Sequence, residues 1–242
     1  MRAISILGWF LAALAVGAIA FELSLPSQAP DVSSHMYSVH KYWYMGRSSG
    51  FAAYALLLCS VLLGLGVSSR VFDGWLVRPW VYDMHQFLSI AVLVVMGFHA
   101  LIMVPDPYAQ FRLSEMLIPF TSHFKPVWTG LGTIALYGSV ILTASFYVKK
   151  RIGQRTWRML HYVSFVVFIM AFVHGIKSGT DSGEAWAQIM YLASGLTVAF
   201  FTFFRVLAVR SVKRKDRIGA ATARESMRIA TMPLPARPQQ ES

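Results

Sequence analysis

Four histidines lie inside two long apolar segments of the chain, two in each segment. His85 and His99 are 14 residues apart, and His161 and His174 are 13 residues apart. Because an α-helix rises about 1.5 Å per residue, each segment places its two imidazoles roughly 20 Å apart along one helix axis. A histidine in the hydrocarbon of a membrane is costly enough to indicate a functional site. Two matched pairs of this kind predict the axial ligands of two stacked hemes.

The composition is that of a membrane protein. Of the 242 residues, 56% are hydrophobic and only 14% are charged, which is too apolar for a soluble domain. Six segments are long enough to cross about 30 Å of hydrocarbon as helices. They cover residues 3–21, 44–67, 80–104, 129–148, 157–176 and 185–207. No segment alternates like a strand, so the sequence predicts an all-α integral membrane bundle of six transmembrane helices.

The basic residues are concentrated in alternate loops. A formal net charge of +11 would suggest nucleic-acid binding in a soluble protein, but the positions of the charges favour a role in membrane topology, and we expect no nucleic-acid partner. The basic residues before the first segment and in the second-to-third, fourth-to-fifth and post-sixth regions are Arg2, Arg70, Arg78, Lys149, Lys150, Arg151, Arg155, Arg158, Arg210, Lys213, Arg214, Lys215 and Arg217. By the positive-inside rule, these regions and both termini are cytoplasmic.

The chain divides into three parts. Residues 1–40 are predicted to hold the first transmembrane helix and an outer loop, residues 41–210 the core with the four histidines, and residues 211–242 a basic, disordered cytoplasmic tail. The first segment also resembles a secretory signal, but its apolar run is longer than a typical signal core, so we favour an uncleaved span. The first part of the tail is expected to lie on anionic lipid, with docking of an acidic redox partner as the alternative.

The predicted orientation gives each histidine a depth in the membrane. The third and fifth segments both run outward, so His85 and His161 lie near the cytoplasmic face, and His99 and His174 lie near the outer face. Each pair could supply two axial imidazoles to one heme b. On an ideal helix, 13 residues leave His161 and His174 about 140° apart. The fifth helix must therefore overwind or bend, or the two hemes must approach it from different sides.

The two histidine motifs and the six helices resemble the ferric reductase-like transmembrane domain of NADPH oxidases, metalloreductases and bacterial relatives. The resemblance covers about Tyr42 to Arg210 and includes GRSSG at 46–50, WRMLH at 157–161 and HGI at 174–176. It implies two b hemes that pass electrons across the bilayer. Oxidases and ferric reductases usually continue into a flavin and nicotinamide domain, whereas about 35 residues follow the last predicted span here. We therefore expect FMN or FAD only through a partner protein.

Four arginines are candidates for contact with the hemes. Within the resemblance, Arg47 corresponds to an arginine beside the outer heme, where it could bind a propionate or stabilise a reduced acceptor. Its alternative is to extend toward the lipid headgroups. Arg78, Arg155 and Arg158 lie near the expected inner propionates, and guanidinium pairs well with carboxylate. These three also act as topology determinants.

The remaining polar and aromatic residues have simpler interpretations. His35, His40 and His123 are predicted in outer loops as solvated side chains, with contact to an acceptor or a metal as the alternative. Tryptophans near span ends are expected to form interfacial belts without a further role. They are Trp43, Trp75, Trp80, Trp128, Trp157 and Trp186.

Taken together, these features predict an oxidoreductase subunit in the lipid of a bacterial cytoplasmic membrane. Electrons would enter at the His85 and His161 heme from a separate flavoprotein reductase and leave at the His99 and His174 heme to oxygen, ferric ion or an extracytoplasmic protein. In the alternative, membrane quinol is the donor and the hemes feed a periplasmic reductase, as in the methionine sulfoxide reductase system. A third hypothesis is a non-redox scaffold or transporter whose histidines are structural or relay protons.

Overall fold

The computed structural model describes residues 32–69, 78–106 and 109–230, and these ranges contain helices and no strand. Five spans within them are long and apolar enough to cross a membrane. The predicted helical class is therefore confirmed, and the chain is a multi-pass membrane protein. The first predicted span, residues 3–21, lies outside the described residues.

Seven α-helices follow one another in the described part of the chain. They are α1 (Val32–Ser69), α2 (Arg78–Ile102), α3 (Leu113–Leu117), α4 (Pro126–Ile152), α5 (Gln154–His161), α6 (Val163–Ser178) and α7 (Ala185–Ala230). A short 3-10 helix, Thr180–Gly183, connects α6 to α7. Helices α5 and α6 together form one span, Gln154–Ser178.

Proline and glycine set several helix boundaries. Pro79 lies in the first turn of α2, and Pro126 begins α4, where a missing amide proton costs no helical bond. Gly153 ends α4 and precedes α5 with a φ of 81°, a conformation that favours glycine. The residues around this turn define what we call the basic end of the bundle: Lys149, Lys150, Arg151, Arg155 and Arg158.

The fifth predicted span is interrupted at Tyr162. The Tyr162 amide donates to the carbonyls of Met159 at 3.2 Å and Arg158 at 3.3 Å, and the Phe165 amide donates to the Tyr162 carbonyl at 3.2 Å. Bonds to the third preceding residue tighten a helix below 3.6 residues per turn. The span is therefore irregular directly after His161, and the angle of about 140° expected from an ideal helix does not apply to it.

Helix α1 begins earlier than its predicted span. It starts at Val32, and the sequence contains no glycine or proline between residues 31 and 45 to end a helix there. His35 and His40 therefore lie in a helix, and their predicted placement in an outer loop is wrong.

Helix α7 continues beyond its predicted span at the other end of the chain. The candidate span covers Ala185–Leu207, but the helix extends to Ala230. Residues 211–230, which were expected to lack regular structure, are thus helical. Alanine, arginine, lysine, glutamate and methionine are common in this stretch and have high helix propensities.

The helices pack mainly in pairs. Helix α1 packs along α2, α4 packs along α6, and α7 packs against α1. An apolar core joins α1, α6 and α7, and its buried members are Tyr54, Leu65, Phe168, Ala187, Tyr191 and Val198. Large apolar side chains such as Ile141, Leu192 and Phe200 are exposed on the outside of the bundle. Such an exterior suits contact with lipid.

Candidate functional site

Two pairs of imidazoles lie between α2 and the span formed by α5 and α6. The ring centroids of His85 and His161 are 6.1 Å apart with an interplanar angle of 85°. Those of His99 and His174 are 6.3 Å apart with an angle of 76°. The first pair lies toward the basic end and the second toward the opposite end. These are the two pairs that membrane depth predicted.

The separation within each pair suits one metal ion between two imidazoles. A histidine nitrogen binds a transition metal at about 2 Å and lies roughly 1.1 Å from its own ring centroid, so rings on opposite sides of one ion have centroids about 6.2 Å apart. Both observed separations agree with this value. In the described ranges, no three His, Cys, Asp or Glu side chains converge on a possible ion. Two ligands suit an iron whose other positions are filled by a porphyrin, whereas a bare ion takes three or four protein ligands.

Three of the four histidines have Nδ1 at 2.8 Å from a backbone carbonyl oxygen. The pairs are His85 with Ser60, His99 with Gly46, and His174 with Trp128. Because a carbonyl oxygen only accepts, these contacts place the proton on Nδ1 and leave a lone pair on Nε2. A bond of this kind orients most metal-binding histidines and raises their basicity.

His161 is held in a different way. Its ring stacks on that of Trp157, with centroids 5.1 Å apart and planes at 22°. The Nζ of Lys149 lies 4.4 Å from the Trp157 ring centroid on the same side of the bundle. The indole Nε1 is buried and has no hydrogen-bond partner among the described residues. A buried donor of this kind, beside a candidate ligand, fits an acceptor group on a bound molecule.

A cavity of about 560 Å³ lies beside the His99 and His174 pair. Its volume is typical of a site for a small molecule or a cofactor. Gly46, Gly50 and Gly132 form part of its wall. His99 and His174 also line this cavity, so a macrocycle bound in it would lie beside both imidazoles.

Arg47 lies on the wall of this cavity and is paired with Asp181. The guanidinium donates from Nε to one carboxylate oxygen at 2.8 Å and from Nη2 to the other. It also lies over the ring of Trp43, 4.3 Å from the centroid. The Asp181 side chain is only 12% exposed. This two-point pairing fixes the position of the positive charge at the cavity wall.

All three arginines that were predicted near the inner propionates, Arg78, Arg155 and Arg158, lie at the same end of the bundle as His85 and His161. Arg78 is the first residue of α2, and Arg158 is exposed in α5, three residues before His161. Their predicted contact with propionates stays a prediction.

Arg205 in α7 is a charged neighbour of the inner pair that the sequence analysis missed. Its Nη2 donates to the Tyr162 hydroxyl at 3.4 Å, and its guanidinium carbon lies 5.4 Å from the Tyr162 ring centroid. A lone arginine among the phenylalanines and aliphatic residues at the end of the sixth segment was the signal that could have found it.

His123 lies in the connection between α3 and α4, in a loop as predicted, and lines the cavity. Its Nδ1 is 2.9 Å from the Glu115 carboxylate, and its Nε2 is 3.1 Å from the Ala109 carbonyl oxygen. Desolvation raises the pKa of Glu115, but the Arg112 backbone N–H and His123 outweigh that effect, so the pKa is lower than usual. Both ring nitrogens of His123 are thus engaged with protein groups.

A comparison with protein families identifies the class of membrane protein to which this chain belongs. The family model of the ferric reductase like transmembrane component matches residues 49–172, slightly more than half of the 242 residues. The chain belongs to this family. No curated protein and no solved structure matches the chain. Ferric reductase-like domains generally bind heme and work with a redox partner, and membership indicates transmembrane electron transfer.

Proposed function

We propose that this ferric reductase-like protein carries two b-type hemes and moves single electrons across the membrane. His85 and His161 would ligate a heme at the basic end, here called the inner heme, and His99 and His174 a second, outer heme. The observation that carries the proposal is the spacing of the paired imidazoles, 6.1 Å and 6.3 Å between centroids. Hemes held in this way supply reversible one-electron chemistry at iron.

The protein contributes ligation, orientation and an apolar surrounding. The hydrogen bonds from Nδ1 of His85, His99 and His174 to backbone carbonyls keep Nε2 of each ring unprotonated and fix the orientation of the ring. Helix α2 fixes the two sites about 20 Å apart along its axis, because its histidines are 14 residues apart. The two sites therefore lie at different depths of the same bundle.

Charged groups at each site would stabilise the carboxylates of the cofactor. At the outer site, Arg47 is held in place by Asp181 and could bind a propionate or stabilise a reduced acceptor. At the inner site, we propose Arg78 and Arg158 for the same purpose, with the Trp157 indole as a further donor.

We place the basic end in the cytoplasm by the positive-inside rule, and the protein in a bacterial inner membrane. Electrons would enter at the inner heme from a separate flavoprotein that carries FMN or FAD. They would leave at the outer heme to oxygen, ferric ion or an extracytoplasmic protein. The exposed side chains of Lys150, Arg151 and Arg155 at the basic end would attract an electron-donor protein with an acidic surface.

Reconstituted vesicles test this route. The protein is inserted with its basic end outward, and a ferric chelate is trapped inside. We expect a flavoprotein reductase with nicotinamide to produce a b-type absorption band and then ferrous chelate in the lumen. The His85→Ala and His161→Ala variants should pass no electrons, whereas Trp80→Ala, a change to an exposed residue at the same end, should behave as the unaltered protein does.

Two other outcomes would redirect the assignment. Reduction by a quinol analogue without any response to the flavoprotein would contradict the proposed donor and favour the quinol-fed route. Protein that shows no b-type band after dithionite would contradict the redox function altogether and leave a scaffold or transporter.

A further inference from the structure

Each carbonyl that receives a histidine Nδ1–H is followed four residues later by a glycine. The carbonyl residues are Gly46, Ser60 and Trp128, and the glycines are Gly50, Gly64 and Gly132. In an α-helix, residue i+4 lies next to residue i on the same face, and its amide donates to the carbonyl of residue i. A side chain at i+4 would therefore project beside the second lone pair of that carbonyl, where the imidazole approaches.

The imidazole rings occupy the space that such a side chain would need. Two carbon atoms in ordinary contact are about 3.5 to 4.0 Å apart. A Cβ added to each glycine would come closer than that to a histidine ring. The closest distances are 2.7 Å between Gly132 and His174, 3.0 Å between Gly50 and His99, and 3.2 Å between Gly64 and His85.

In α1 this arrangement repeats with the same spacing as the histidines that it contacts. The two carbonyl residues of α1 are 14 residues apart, and so are its two glycines. His85 and His99, on the neighbouring antiparallel helix α2, are also 14 residues apart. One helix thus presents the same backbone feature at two depths, and α4 presents a third copy to His174.

We infer that Gly50, Gly64 and Gly132 are positioning residues for the heme ligands. Each glycine lets an imidazole of the adjacent helix reach the carbonyl four residues earlier, and the resulting bond sets both ring orientation and basicity toward iron. The inference rests on the proposed function, because the rings need this orientation only if they bind a metal. Loss of such a supporting contact typically weakens metal binding about 10- to 100-fold.

Alanine substitutions in the full chain, purified in detergent and titrated with heme, test the inference. Gly50→Ala and Gly132→Ala should weaken binding at the outer site about tenfold and leave the inner site unchanged. Gly64→Ala should do the reverse. Gly132→Ala should have the largest effect because its added carbon comes closest to a ring.

Two spectroscopic measurements separate positioning from simple packing. A longer Nδ1–H···O contact makes the imidazole a weaker donor to iron, so the midpoint potential of the heme at the altered site should rise. The largest g value of its low-spin EPR signal should shift in the same variant. The other heme site lies at a different depth in the membrane. It should keep its potential and g values, which would show that the chain is folded.

Gly97→Ala is the matched control. Gly97 lies in α2 two residues before His99, and an added Cβ there would meet no heavy atom of the described residues within 4 Å. If the three glycine variants keep both hemes with the affinities, potentials and g values of Gly97→Ala, the inference is overturned while the proposed function stands. Equal loss of both hemes in Gly64→Ala, the variant with the mildest contact, would also overturn it. Unaltered protein that binds no heme would instead overturn the proposed function.

Discussion

The backbone oxygen of Gly46 lies 2.8 Å from Nδ1 of His99, across the interface between two neighbouring membrane helices. The Ser49 hydroxyl also donates to this oxygen at 3.0 Å, so donors from both helices meet at one carbonyl. The orientation of an imidazole in α2 therefore depends on the backbone of α1. A change in one helix should be detectable at a ligand on the other.

Replacing either histidine of one pair should remove the same single heme. We expect His99→Ala and His174→Ala each to abolish the outer heme and spare the inner one, because an iron that loses one of two axial ligands loses its low-spin character and much of its affinity. His85→Ala and His161→Ala should abolish the inner heme. Potentiometric titration of the b-type band distinguishes the two. Loss of one common heme in His85→Ala and His99→Ala would show that the pairing is wrong.

Removing the carboxylate that is paired with Arg47 should change the midpoint potential of the outer heme alone. In Asp181→Asn the Arg47 charge is no longer compensated, and a positive charge near iron favours the reduced state, so the outer midpoint potential should rise. The partly exposed pair should contribute about 1 kcal/mol or less to stability.

Glu184→Gln is the control for that substitution, since it removes a carboxylate from an exposed residue three positions later. A redox titration that shows the same potentials in both variants would contradict a role for the Arg47 and Asp181 pair at the outer site.

The indole of Trp157 should matter only for the inner heme. Trp157→Ala removes the ring stacked on His161, and an aromatic contact of this kind contributes about 0.5 to 1.5 kcal/mol. Heme affinity at the inner site should therefore fall about two- to tenfold. Trp157→Phe keeps an aromatic ring and should lose less. Heme titration that finds Trp157→Ala equal to Trp80→Ala would contradict this assignment.

The Tyr54 hydroxyl should affect stability and not redox chemistry. It lies 2.5 Å from the Ser194 hydroxyl in the buried contact between α1 and α7. Tyr54→Phe should lower the free energy of unfolding by about 1 kcal/mol, because Ser194 still donates to the Tyr191 carbonyl. Thermal unfolding in detergent should show a lower Tm with both heme potentials unchanged. An altered heme potential would mean that this contact also orients a ligand.

Hydropathy and charge predicted the features that repeat along the chain. Apolar runs located the five spans that the structure describes, and the depths of His85, His99, His161 and His174 predicted which rings would be adjacent. These predictions succeeded because helix rise and the cost of burying a polar group in lipid depend on local sequence.

Contacts between distant parts of the chain were not predictable in the same way. Arg47 and Asp181 are 134 residues apart. Arg47 lies in α1 and Asp181 in the 3-10 helix after α6, and these two elements come together only when the bundle packs. The role of Gly50 and Gly64 was also missed, although their spacing equals that of the histidines. The sequence around a glycine in a membrane helix does not show which residue packs against it, because that residue belongs to another helix.

The heme content of the purified protein tests the central claim most directly. Protein expressed with ample heme should contain two b-type hemes per chain in a pyridine hemochrome assay, with both signals low-spin and both lost in a variant without the four histidines. One heme per chain, or none, would contradict the account.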